Sequence, residues 1–127
     1  MIKVFLDSSV LVAASGSISG ASAFILGKSK EGDIRTYVSL DVIGEARKNI
    51  KLKMPKAAFF RFTYFLKQAK MILVPTPTIE ETALCENYIE KKDAPILAAA
   101  KKSRVSHLVT LDRKHFFTDK VKAFIKP

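Results

Sequence analysis

Cysteine is almost absent from this sequence, and long apolar segments are absent altogether. The single cysteine, Cys85, excludes an intramolecular disulfide and offers no metal-binding cysteine spacing. Because chains without disulfides are typical of reducing compartments, we expect a cytoplasmic protein. The N-terminus superficially resembles a signal peptide, but Asp7 interrupts its apolar stretch. Since no later segment is long enough to span a bilayer, we expect a soluble chain that does not enter a membrane.

Acidic residues are scarce relative to basic ones. Twelve Asp and Glu stand against twenty-two Lys and Arg, which gives a formal net charge of +10. Such an excess is typical of proteins that bind a polyanion, because phosphate contacts supply most non-specific affinity for nucleic acids. A solvated, lysine-rich surface would give the same composition. The hydrophobic share of 48% indicates a folded chain, and the length of 127 residues suits one domain spanning 1–127.

Strand-like and helix-like patterns alternate along the chain. Strands are predicted at 2–6, Ile34–Leu40, Met71–Val74 and His107–Leu111, with a short fifth edge strand at Val121–Ile125. Helices are predicted at Ala21–Lys30, Asp41–Lys53, Pro55–Lys70, Ile79–Lys91 and Asp93–Arg104, with a loop at Ser15–Gly20. This alternation predicts an α/β fold with a parallel sheet and helices on both faces.

The first predicted strand ends abruptly at Asp7. Apolar residues on successive positions before it are typical of a strand that is covered on both faces. A carboxylate directly after such a strand would lie at the carboxyl edge of the sheet, where open α/β folds bind their ligands. Asp7 could instead cap the helix that follows, with Ser8 or Ser9 sharing that role.

Three further acids fall at comparable places. Asp112 follows the fourth strand, Asp93 begins a helix, and Glu45 lies one turn into the helix after the second strand. If the first and fourth strands are neighbours, Asp7 and Asp112 converge at one edge of the sheet, and helices that enter from that edge could add Glu45 and Asp93. Two carboxylates about 4 Å apart repel by about 4 kcal/mol at an effective dielectric constant of 20. Protons or a divalent cation must compensate, and an all-oxygen site suits Mg²⁺ or Mn²⁺.

Together these residues resemble the PIN-domain nucleases, in particular the VapC-type toxins of prokaryotic toxin–antitoxin pairs. The likeness runs over nearly the whole chain. It includes the opening strand followed by Asp7 and a small hydroxyl residue, and Glu45 in the helix after strand two. It also includes Asp93 at the start of an alanine-rich helix, and a fourth strand that runs into Thr110-Leu111-Asp112.

The resemblance implies a three-layer α/β/α fold whose parallel sheet has about five strands in the order 3-2-1-4-5. It also implies a Mg²⁺- or Mn²⁺-dependent endoribonuclease. By likeness, the catalytic and metal-binding acids are Asp7, Glu45, Asp93 and Asp112, with Ser8 and Thr110 as polar support. Many relatives carry another acid or Asn three residues after the last Asp, where this chain has His115. This departure leaves open a catalytically weak PIN-like module that binds RNA or a protein without cutting it.

A phosphoryl-transfer or receiver-type α/β protein would also gather acids at strand ends. The haloacid-dehalogenase type needs a second Asp two residues after the first, but Ser9 occupies that position. A receiver domain needs its phosphoacceptor Asp after a mid-chain strand, whereas Met71–Val74 is followed by Pro75 and Thr76. The sequence therefore favours this class less than a nuclease.

Basic and aromatic residues supply candidate contact surfaces. The candidate RNA-binding residues, which adjoin the acids in sequence, are Arg47, Lys48, Lys51, Arg113 and Lys114. The stretch Ala57–Leu66 (AAFFRFTYFL) has apolar residues on more than one helical face. It forms either a helix wedged between the sheet and its neighbours or an association surface. We expect this aromatic stretch and Ala21–Lys30 to contribute to a protein–protein surface. This surface would form a homodimer that can also receive an antitoxin.

Overall fold

The structure is a computed structural model that describes residues 1–112, 116, 118 and 121. Its strands are β1 (Lys3–Leu6), β2 (Arg35–Val38), β3 (Ile72–Leu73) and β4 (His107–Val109). Its helices are α1 (Ser8–Gly16), α2 (Ala21–Glu31), α3 (Leu40–Lys53), α4 (Lys56–Gln68), α5 (Ile79–Cys85) and α6 (Ala94–Ser103). The alternation of strands and helices confirms the predicted α/β fold class.

One sheet with the strand order β3-β2-β1-β4 organises the described residues. All of its pairings are parallel, and Phe5 of β1 lies opposite Tyr37 of β2 and Leu108 of β4. This order agrees with the first four strands of the predicted 3-2-1-4-5. The predicted fifth strand, Val121–Ile125, lies outside the described residues apart from Val121. Because β1 and β4 are neighbours, the residues that follow them meet at one edge of the sheet.

The core forms around β1 and α6. Val4, Phe5 and Leu6 are all buried, as expected for an apolar run that is covered on both faces. In α6 every side chain from Ile96 to Ala100 is buried, and the alanines among them allow close packing. Strand β1, which precedes Asp7, and helix α6, which follows Asp93, are therefore among the most closely packed elements of the fold.

The connection between α1 and α2 makes a sharp corner. At Gly16, the last residue of α1, a Cβ atom would lie 2.6 Å from Cε of Met54, so glycine allows Met54 to pack there. Between the two helices the chain bends by 101°.

Among the described residues no single helix is long and apolar enough to cross a membrane, although α1 and α2 taken together meet the same criterion.

Helix α5 is shorter than the sequence predicts, because it ends at Cys85 and not at Lys91. Its start agrees with the prediction, since Thr78 and Glu81 form a capping box. A helix that continued to Lys91 would leave one residue before Asp93, too few for the chain to turn and pack α6 against α5. Tertiary packing therefore sets the end of this helix.

Helix α4 distributes its aromatic side chains over different environments. Phe62 is 1% exposed and belongs to the core, whereas Phe59 and Phe65 are half-buried. Phe60 is 70% exposed, and Tyr64 is also exposed. The wedged-helix interpretation is therefore correct for Phe62, while Phe60 and Tyr64 leave apolar area at the surface.

We expect Phe62→Ala to lower the free energy of unfolding by about 3–5 kcal/mol, because it opens a cavity in a packed core. Phe60→Ala should change it by about 0.5 kcal/mol or less, as is usual for an exposed site. Urea unfolding followed by circular dichroism measures both values. Equal losses in the two variants would contradict this division of the helix.

Candidate active site

Asp7 directly follows β1 and is buried at the carboxyl edge of the sheet. Its Oδ2 atom accepts two hydrogen bonds, from Ser9 Oγ at 2.9 Å and from Thr110 Oγ1 at 2.8 Å. Asp7 holds the N-cap position of α1, but in the described structure its side chain makes no capping hydrogen bond. The capping interpretation is therefore wrong for this side chain, because its carboxylate accepts hydrogen bonds from the hydroxyl groups of Ser9 and Thr110 instead.

A network of hydrogen bonds joins the ends of β1 and β4. The backbone N–H of Asp112 donates to Thr110 Oγ1 at 2.9 Å, and that of Leu111 donates to Ser9 Oγ at 3.0 Å. The N–H of Asp7 donates to the carbonyl of Val109 at 3.0 Å. Each hydroxyl thus bonds both the Asp7 carboxylate and the backbone after β4, so Asp7 and Asp112 are positioned by shared partners.

Glu45 enters the same region from the second turn of α3. Its Oε1 atom accepts a hydrogen bond from Ser8 Oγ at 3.0 Å. Partial burial raises the pKa of Glu45 above its ordinary value, although the bond from Ser8 opposes the shift. The negative charges of Asp7 and Asp93 raise this pKa further, whereas Lys92 lowers it. Glu45 therefore lies within the electrostatic reach of two other acids.

Asp93 is buried at the N-cap position of α6. Lys92 Nζ donates to its Oδ2 at 3.0 Å, although the lysine side chain is largely exposed. This hydrogen bond raises the pKa of Lys92, and the charges of Asp93, Glu90 and Asp112 add to the effect. Lys92 was not singled out from the sequence. Its position next to an N-cap acid was the signal that could have identified it. The electrostatic interaction of Lys92 with Asp112 depends on the fold and could not be predicted.

Asp7, Glu45 and Asp112 line one cavity of about 420 Å³. Its other lining residues are Ser8, Ser9, Val12, Ala13, Asn49, Lys53, Met54 and Leu111. Asp93 contributes through its charge on Glu45 and not as a wall of this cavity. The structure thus brings the predicted acids to one edge of the sheet, and it adds Ser9, Asn49, Lys53 and Lys92, which the sequence did not rank as site residues.

The predicted RNA-binding residues on α3 are not among the residues that line this cavity. Arg47 places its guanidinium 6.0 Å from the ring centroid of Phe62, and Lys51 Nζ lies 5.2 Å from that of Phe59. Lys48 is exposed. The basic residue that lines the cavity itself is Lys53. The other predicted contacts, Arg113 and Lys114, lie outside the described residues, as does His115.

The spacing and chemistry of the acids decide whether the site fits a divalent metal ion. In the part of the chain that the structure describes, no three acidic, histidine or cysteine side chains lie close enough together to hold an ion. The acids around the cavity nevertheless offer only oxygen donors, which Mg²⁺ and Mn²⁺ prefer. The donor chemistry therefore fits a hard divalent cation.

Comparisons with known proteins give a family and a related fold. A family model described as the PIN domain matches residues 3–114. VapC20 from Mycobacterium tuberculosis, described as a toxin that cleaves the sarcin–ricin loop, has a similar structure with a TM-score of 0.57 and 16% sequence identity. The match covers 87% of this chain and 91% of VapC20. No curated protein matches the sequence significantly. At this identity the structural match is evidence of the fold alone.

We expect Glu45 to titrate above its ordinary value of 4.5, as measured by NMR of its side-chain carboxyl carbon. The folded state then keeps this proton to a higher pH than the unfolded state does. The contribution of Glu45 to stability is therefore present at low pH and lost as pH rises through the folded-state pKa.

Ser8→Ala removes the hydrogen bond that favours the Glu45 carboxylate, so it should raise this pKa further. Ser106→Ala, before β4 at the opposite edge of the sheet, should leave it unchanged. A pKa that falls in Ser8→Ala would show that Ser8 does not support the charged form.

Proposed function

The chain belongs to the PIN-domain family, and from this premise we propose that it is a divalent-metal-dependent endoribonuclease and the toxin of a toxin–antitoxin pair. The supporting observation is the cavity that Asp7, Glu45 and Asp112 line together. Burial is the main cause that raises the pKa of Glu45, and the negative charges of Asp7 and Asp93 add to it; a bound cation relieves such charge. Mg²⁺ or Mn²⁺ is the proposed cofactor.

The acids proposed to hold the ion are Asp7, Glu45, Asp93 and Asp112. When bound, the ion polarises the scissile phosphate and lowers the pKa of an attacking water. Ser9 and Thr110 fix the Asp7 carboxylate through Oδ2, and Ser8 fixes Glu45. Lys92 orients Asp93 and offers an ammonium group to an RNA phosphate at the edge of the site.

RNA is the proposed substrate, in unpaired or loop form, because single-stranded segments can enter a cavity that a duplex cannot. The net charge of +10 favours binding of a polyanion. The proposed contacts are Arg47, Lys48, Lys51, Arg113 and Lys114. The toxin assignment is made by analogy with VapC20, which has a similar fold and is described as a toxin that cleaves the sarcin–ricin loop. Cytoplasmic localisation belongs to the same proposal.

A catalytically weak PIN-like module that binds RNA or a protein is the second candidate. It is favoured by the spacing of the acids, since within the described residues no three of them form a metal-sized cluster. It is also favoured by His115, which stands where many relatives carry an acid or Asn. An RNA cleavage assay with titrated Mg²⁺ and Mn²⁺ separates the two candidates. The receiver-type and phosphoryl-transfer classes are set aside, because the chain belongs to the PIN-domain family.

We expect Asp7→Asn to abolish metal-dependent RNA cleavage, because it removes a charge that attracts the cation, while RNA binding at low salt survives. The assay compares cleavage with and without excess chelator. Asp41→Asn, at an exposed acid in the first turn of α3, is the matched control and should cleave like the wild type. Full activity of Asp7→Asn, or of the wild type in chelator, would refute the mechanism.

We also propose that the protein forms a homodimer through the groove between α2 and α4, and that an antitoxin binds the same surface. The groove has a volume of about 610 Å³, and its walls include Ile18, Leu26, Tyr64 and Phe65. Ile18 is 74% exposed, and Phe24 on α2 is also exposed. Apolar area of this kind favours aggregation of a monomer, and a two-fold contact is the commonest way to cover it.

Ile18→Glu should shift the protein from dimer to monomer, because it places a charge at the rim of the α2–α4 groove. Light scattering at micromolar concentration measures the change. Ile79→Glu, at an 86% exposed position on α5, is the control and should remain dimeric. A wild-type protein that is monomeric under these conditions would remove the dimer from the proposal.

A further inference from the structure

A second cavity lies beside the candidate active site, between the end of α3 and the start of α4. It has a volume of about 460 Å³, and Ile50, Met54, Phe59 and Phe60 are among its lining residues. Met54 also lines the acidic cavity, so one side chain forms a wall of both. This second cavity, here named the α3–α4 pocket, therefore adjoins the acidic cavity at Met54.

Phe60 presents a large apolar surface at this pocket. It is 70% exposed, while Phe62 fills the core position on the same helix. The neighbouring Phe59 already has a cation over its ring, since Lys51 Nζ lies 5.2 Å from the ring centroid. An exposed aromatic beside a charged cleft is typical of a contact surface, because its ring can stack on a flat partner.

The charge around the pocket indicates which partner it fits. Lys51 and Lys56 line it, and among the described residues none of those lining it is acidic. The α2–α4 groove differs, because Glu31 lies there with Lys30 and Arg61. In a two-fold contact through this pocket, Lys51 and Lys56 of one copy would face the same residues of the other, whereas an RNA backbone would neutralise them. The charge therefore favours RNA over self-association at the α3–α4 pocket.

Helix α3 supplies a path from the acids to the pocket. Glu45, Asn49 and Lys53 are spaced four residues apart, so they share one helical face, and all three line the acidic cavity. Along this face the side chains change from an acid to an amide to a cation over roughly 12 Å. An RNA strand whose scissile phosphate lies at the acids can therefore run past Lys53 toward Phe60.

We propose that the α3–α4 pocket is a nucleobase subsite, in which an unpaired base next to the cleaved bond stacks on Phe60 and the flanking phosphates contact Lys53 and Lys56. This inference rests on the proposed function, because it takes RNA as the substrate. Stacking on an aromatic ring accepts any base but requires that the base be unpaired. The subsite therefore selects single-stranded segments and not one particular sequence.

The test measures RNA binding in excess chelator, so that cleavage plays no part. The probe is a fluorescently labelled, unstructured RNA of about ten nucleotides, and anisotropy gives its Kd over a range of salt concentrations. Phe60→Ala should raise the Kd by roughly fivefold or more without changing the salt dependence, because a stacked base is lost and no phosphate contact is. Phe60→Trp should retain wild-type binding.

Ile79→Ala is the matched control. Ile79, like Phe60, is a large apolar side chain at the surface, and it is 86% exposed. It lies on α5 and not at the pocket, so this variant should bind like the wild type. Lys56→Ala should weaken binding and reduce the slope of log Kd against log salt by about one, as expected for a lost phosphate contact.

Two results would overturn the subsite. One is Phe60→Ala binding RNA as tightly as Ile79→Ala. The other is Phe60→Ala losing self-association in sedimentation in step with RNA binding, since Phe60 would then serve a protein contact. A wild type that binds RNA through Phe60 but never cuts it would refute the nuclease and leave the subsite standing. A wild type that cuts, with Phe60→Ala binding and cutting equally well, would refute the subsite alone.

Discussion

A buried carboxylate must be hydrogen-bonded if its burial is not to cost several kcal/mol, and Asp7 meets this requirement with hydroxyl groups. Ser9 and Thr110 both donate to Oδ2 of Asp7. Because these two hydroxyls also accept from the backbone of Leu111 and Asp112, satisfying one charge fixes the way in which β1 and β4 end. The hydroxyl group of Thr110 that satisfies the Asp7 carboxylate therefore also positions Asp112.

The parts of the fold that could be predicted from the sequence are those with local signals. The apolar run of β1 indicated a strand buried on both faces, and acids at strand ends and a helix start indicated one edge of the sheet. The end of α5 could not be predicted, because it is set by the turn that packs α6 on α5. The hydroxyl partners of Asp7 and the reach of Lys92 to Asp112 depend on neighbours far apart in sequence. Which acids bind a metal stays a prediction.

The surfaces that helix α4 presents also could not be predicted from the sequence. Its aromatic residues could be counted from the sequence, but their environments depend on the elements that surround the helix. Phe62 enters the core, Tyr64 borders the groove beside α2, and Phe60 borders the pocket beside α3. The two cavities have different charges along their walls. One helix therefore offers surfaces suited to different partners, and periodicity alone cannot distinguish them.

The hydrogen bond from Thr110 to Asp7 joins residues 103 positions apart, which bears on when the site can form. During translation, a ribosome releases Asp7 and Glu45 long before Thr110 and Asp112. Until β4 emerges and pairs with β1, the Asp7 carboxylate lacks the hydroxyl group of Thr110, and the cavity lacks the wall that Leu111 and Asp112 supply. A growing chain therefore cannot carry the complete set of acids until the segment through Asp112 has left the ribosome, and the cell that makes this protein meets no assembled site before then.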